Sequence, residues 1–286
     1  MSELLSDERR LAAARRHLEI GHYERVLEAL SGLNPETAAD AYTMRLRGFA
    51  HAGLDDFDSA AEAARAGLVD EPDDIGLLYL LSIAEIRRHD LPAAEQAILA
   101  ALAVEPEDPE LLAQYAKVLM QAGQLDKAER LLGHAAAANP DSSQVLETRI
   151  MLAVLRHDDR RAKALSEELL ARDPDSVSGQ QMLGALDWNR GDARSASRRF
   201  AEVVRADPTD HDAADSARTT RRLSNPLWWP TRVFARFGAG PSWIVAVATI
   251  FGLQALGLNT LSMIAAVIWV AMCVSSWIGA AVFREK

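Results

Sequence analysis

Residues 109–142 read PELLAQYAKVLMQAGQLDKAERLLGHAAAANPDS. In the first half Leu112, Tyr115, Ala116 and Leu119 recur at helical spacing, and in the second half Ala128, Leu132 and Ala135 do so. Gly123 falls between them, so the stretch is a helix–turn–helix unit with one apolar face on each helix. The small side chains of Ala116, Ala128 and Ala135 let the two helices approach closely. Pro140 ends the second helix, because it lacks the amide donor and clashes with the preceding turn. Asp108 precedes Pro109, an N-cap followed by a proline at the first helical position, where a missing N–H costs nothing.

The unit recurs. Pro72, Pro106, Pro140, Pro174 and Pro208 stand 34 residues apart, and Ala60, Ala94, Ala128, Ala162 and Ala196 keep the same step. A third series, Asp74, Asp108, Ser142, Ser176 and Asp210, lies two residues past each proline and supplies the next N-cap. Three registers locked to one period predict an all-α solenoid.

The pattern resembles the tetratricopeptide repeat (TPR) family, whose unit is 34 residues with small residues and a late proline at these places. The resemblance covers 41–210 as five units: 41–74, 75–108, 109–142, 143–176 and 177–210. Residues 1–40 read as a divergent helical hairpin with Gly21, Tyr23 and Pro35, since the step from Pro35 to Pro72 is 37. Residues 211–225 read as a capping helix. The resemblance implies a superhelix whose first helices line a concave groove. Family phase assigns to that groove Arg45, Phe49, Tyr79, Ile83, Arg87, Lys117, Met120, Glu147, Met151, Gln181 and Trp188. The basic set with which some TPR domains hold a partner's C-terminal carboxylate is missing. Lys117 stands alone among Tyr79, Ala113 and Glu147. The apolar members instead predict a protein partner, docked as a helix or strand with adaptable methionine contacts.

Charge narrows the function classes. After residue 225 only Arg232, Arg236, Arg284, Glu285 and Lys286 are charged, which leaves 27 basic and 40 acidic residues before it. A net charge of −13 on the repeat region argues against nucleic-acid binding, where clustered cations must neutralise phosphates. The single cysteine, Cys273, excludes a disulfide framework and a cysteine-based zinc site. Arg88-His89-Asp90 and Arg156-His157-Asp158 look catalytic, yet they lie two repeat lengths apart, where other units carry Gly123-Gln124 and Gly191-Asp192. They read as the turn between helices. No nucleotide, nucleophile-elbow or zinc motif occurs, and the expectation is a non-enzyme without cofactor or metal.

After residue 225 the composition changes. Residues 226–240 combine Trp228, Trp229, Phe234 and Phe237 with Arg232 and Arg236, the mixture a membrane–water interface attracts. Residues 241–258 and 261–283 carry no charge. At 1.5 Å per residue they reach about 27 and 34 Å, against a hydrocarbon core of about 30 Å, which predicts a transmembrane hairpin. Arginines before the first span, and Arg284 and Lys286 after the second, place both termini in the cytoplasm, as does a charged start without a signal-peptide core. The expected location is the bacterial inner membrane. Ala248 with Gly252, and Ala271, Ser275 and Gly279, form small-residue stripes that serve hairpin packing first and homo-oligomerisation second. The arginines are expected to meet anionic lipid. Two functions fit: a membrane-tethered scaffold that recruits proteins, or an accessory subunit that contacts a membrane enzyme or transporter through the hairpin.

Overall fold

A computed structural model of the chain describes residues 2–206 and 211–224, together with Phe251, Gln254, Ala255, Thr260, Leu261 and Met263. The described chain is an all-α solenoid of TPR-like repeats, and among the described residues there is no strand.

Two compact units divide the chain, Met1–Leu169 and Leu170–Lys286. The first opens with helices α1 (Ser2–Glu19), α2 (Tyr23–Leu30) and the short α3 (Pro35–Ala39). The repeats follow as hairpins: α4 (Ala41–Gly53) with α5 (Phe57–Asp70), α6 (Ile75–Arg87) with α7 (Leu91–Val104), and α8 (Pro109–Gln121) with α9 (Leu125–Ala138). Then come α10 (Ser143–Leu155) and α11 (Asp159–Arg172), and the division between the units falls inside α11. In the second unit α12 (Val177–Asn189) pairs with α13 (Ala193–Ala206), and α14 (His211–Ser224) packs against α13.

Each signal in the sequence has a local structural cause. The ladder alanines 60, 94, 128, 162 and 196 are fully buried, and Val26 takes the equivalent place in α2. A side chain of one carbon there lets the paired helices close on each other. Asp74, Asp108, Ser142 and Ser176 accept hydrogen bonds from amides in the first turn of α6, α8, α10 and α12. Satisfying these otherwise orphaned donors is what starts each hairpin. The second helix of each pair stops two residues before its proline, at Asp70, Val104, Ala138 and Arg172.

The turn inside each hairpin is equally regular. Six described residues have a positive φ: Gly21, Asp55, His89, Gly123, His157 and Gly191, each 34 residues from the last. Every one closes a Schellman-type cap, in which the following amide reaches back five residues, as Gln124 N–H does to Leu119 C=O at 2.8 Å. The two Arg-His-Asp triplets therefore divide their labour. Arginine ends the first helix, histidine adopts the left-handed conformation, and Asp90 or Asp158 caps the second helix by accepting from Ala93 N–H or Arg161 N–H. Gly21 keeps this register, so the N-terminal divergence lies beyond its turn, where α3 is inserted. Asn34 caps α3 and is itself held by the buried carboxylate of Asp7.

Four apolar clusters fill the first unit, strung along the helices one repeat at a time. Gly48 marks the tightest seam. A Cβ there would fall within the van der Waals radius of Leu80 Cδ2 on the next repeat and would touch Ala60 C=O at 3.4 Å.

Candidate partner-binding face

The first helices α4, α6, α8 and α10 lie side by side in the first unit, which brings the phase-assigned side chains onto neighbouring elements. Arg45 of α4 is fixed at its end by Asp74, Nη1 to Oδ2 2.8 Å, and its guanidinium lies 5.4 Å from the centre of the Tyr42 ring. Phe49 and Ile83 are half-buried, and Phe49 packs against the cluster around Leu77 and Leu80. Arg87, at the end of α6, stacks over the Phe57 ring at 4.5 Å.

Tyr79 of α6 and Lys117 of α8 are also half-buried. Tyr79 Oη accepts a hydrogen bond from Gln144 Nε2 of α10 at 2.9 Å, a link that passes over the intervening α8. Ala113 of α8 is fully buried, and with no larger side chain at that place Gln144 can reach Tyr79. Burial raises the Tyr79 phenol above its ordinary range; the Gln144 hydrogen bond opposes that rise, while Glu110 and Asp108 add to it. Burial likewise lowers Lys117, against the pull of Glu147 and Glu110 in the opposite direction. This part of the face is thus a self-satisfied polar floor.

The apolar members separate. Met120 is only 6% exposed and sits in the cluster with Leu119, Leu132 and Leu152, so it is a core residue and not part of an open groove. Met151 is 44% exposed, and beside it on α10 Val154 and Leu155 are exposed by 36% and 47%. In the second unit Gln181 is half-buried and Trp188 of α12 is 38% exposed. Sequence phase missed Gln144, Val154 and Leu155, although all three stand at the second, twelfth and thirteenth places of their unit, the positions that the family pattern assigns to the groove.

The interfacial residues Trp228, Trp229, Arg232, Phe234, Arg236 and Phe237 lie outside the described residues, as does nearly all of the two charge-free spans. Among the described residues no helix is long and apolar enough to cross a membrane. No group of three or more His, Cys, Asp or Glu side chains among them is placed to hold a metal ion.

Comparison with known proteins agrees with this architecture. Residues 99–149 match the family model of the tetratricopeptide repeat. No curated protein matches the sequence. Among solved structures, a TPR protein from Parabacteroides merdae superposes with a TM-score of 0.67 at 15% identity, over 74% of this chain and 83% of that one. A thermophilic TPR protein from Thermus thermophilus gives 0.59 at 18% identity, over 64% of this chain and all of the other. The pilF protein of Pseudomonas aeruginosa gives 0.51 at 13% identity, over 78% and 99%. At such identities the likeness speaks for the fold. The repeat region is a solenoid of the tetratricopeptide type.

Proposed function

We propose that the chain is a non-enzymatic scaffold, a cytoplasmic TPR solenoid tethered by a C-terminal transmembrane hairpin, that recruits a partner protein to the membrane surface. TPR proteins are generally protein-interaction scaffolds, and in this chain the exposed apolar patch of Met151, Val154 and Leu155 on α10 supports a docking site. Three large apolar side chains left on one turn of helix favour a partner that covers them, with the flexible methionine adapting to its shape. The acidic repeat region favours a partner helix with basic flanks. Tethering is supported by the two charge-free stretches. Their described members Phe251, Leu261 and Met263 expose 65%, 50% and 70% of their surface.

The test is in-cell cross-linking of the full-length protein followed by mass spectrometry. Met151→Asp with Leu155→Asp is expected to lose the cross-linked partner while far-UV circular dichroism stays unchanged. Retention of the partner would overturn the α10 assignment. If the full-length chain stays in the soluble fraction after lysis without detergent, the tether is wrong. The small-residue stripe Ala271, Ser275 and Gly279 favours the second reading, an accessory subunit of a membrane complex. Partners retained by residues 226–286 alone would support that reading.

A further inference from the structure

The α1–α2 hairpin carries a cleft of about 350 Å³ that is remote in function from the first-helix face. Arg9, Ala13 and His17 stand four residues apart on one side of α1, and Arg10 joins them; α2 contributes Arg25, Ala29 and Glu28. The two alanines leave room between the helices, and the side chains around that room are mostly cationic. Elsewhere in the first unit, arginines at the repeat seams are held by carboxylates: Arg45 by Asp74, Arg65 and Arg88 by Glu85, Arg156 by Asp126. Among the described residues Arg9, Arg10 and Arg25 have no such ion pair, and Arg10 rests its guanidinium against Gly32. His17 stacks with His22, ring centres 6.0 Å apart, and its Nδ1 is buried with no hydrogen-bond partner among the described residues.

We propose that this cleft binds a phosphate-bearing anion. Three guanidinium groups converge on one opening, each a planar fork that matches phosphate oxygens, and the histidine ring supplies a further donor. The repeat region's net negative charge repels anions at long range, so local convergence of unpaired cations is what makes binding possible here. Glu28 is the one carboxylate at the rim, and it selects for a ligand whose phosphate enters on the side of Arg9 and Arg25. A lipid headgroup and a soluble phosphate compound share this chemistry.

Calorimetry on the full-length protein in an uncharged detergent tests it with two probes, inorganic pyrophosphate and dihexanoyl phosphatidic acid. At least one is expected to bind and to shift the His17 imidazole signals in the NMR spectrum. Arg9→Gln with Arg25→Gln is expected to weaken that binding at least tenfold with helicity unchanged, because both side chains are exposed. Binding of the lipid alone identifies a headgroup site, and binding of pyrophosphate identifies a soluble ligand. Absence of binding of either probe up to about 5 mM, a free energy near −3 kcal/mol, overturns the proposal. Binding that the double variant retains in full, or that leaves His17 unmoved, overturns it as well.

Discussion

Gly123→Ala probes the element on which every hairpin depends. Gly123 has a φ of 73°, and a Cβ built on it meets nothing within 4 Å. Steric contact with neighbours therefore contributes nothing, and the whole effect is the residue's own backbone conformation. Holding an L-residue left-handed costs about 1–2 kcal/mol. Alanine also narrows the unfolded ensemble, which returns about 0.4–1 kcal/mol. The net expectation is a loss of about 0.5–1 kcal/mol, or roughly 1–4 °C in Tm for a repeat region of this size. Gly123→Asn is expected to cost less, because asparagine visits this conformation readily and the chain itself uses Asp55, His89 and His157 at the same place. A repeat array need not unfold in a single step, so urea midpoints of the full-length protein are best paired with amide exchange over α8 and α9. Equal stability of the alanine and asparagine variants, or no loss with alanine, would refute the claim that a left-handed residue sets this turn.

Three further outcomes follow from the packing and the polar floor. Gly48→Val is expected to destabilise by about 1–3 kcal/mol through collision with the fully buried Leu80, seen as a lower urea midpoint. Tyr79→Phe removes the hydrogen bond from Gln144 and is expected to cost about 0.5–1 kcal/mol; Gln144→Ala alone should cost a similar amount, with the double variant adding little, as a double-mutant cycle would show. Lys117 is held below its ordinary value by burial, so the unfolded chain binds its proton more tightly than the folded one. Its contribution to stability therefore rises as pH increases from the lowered folded value toward the ordinary lysine value, and Lys117→Met should abolish that rise between about pH 8 and 10.

Most of the architecture was legible because a repeat writes each structural decision several times. A proline after one helix is weak evidence; prolines at 72, 106, 140 and 174, each two residues past a helix end, describe a hairpin period. The same redundancy exposed the Arg-His-Asp triplets as turns, since they fill the place of Gly123-Gln124. Nothing in the local sequence of Asp55 marks it as left-handed; only the 34-residue step from Gly21 to His89 does. In the same way the 37-residue proline step hides the regular turn at Gly21, because α3 is inserted after it.

The candidate site was harder to read. Met120 and Met151 occupy neighbouring groove phases in successive units, yet one is core and the other is open. Helical phase states the direction in which a side chain leaves its own helix. Whether another side chain covers it depends on the packing of the helices around it, and that information is spread over residues far apart in the chain.

By itself, then, the sequence determined the helices, their caps, their turns and their pairing, because these rest on interactions within about one repeat: a capping oxygen, a left-handed residue, an alanine at a close approach. It also marked the charge-free C-terminal stretches by composition alone. Only the tertiary structure decided that Gln144 reaches across α8 to Tyr79, that Met120 belongs to the core, and that Arg9, Arg10 and Arg25 face one cleft without carboxylate partners. Those outcomes join residues on different helices, up to 65 positions apart, and depend on which side chains are small enough to let others pass.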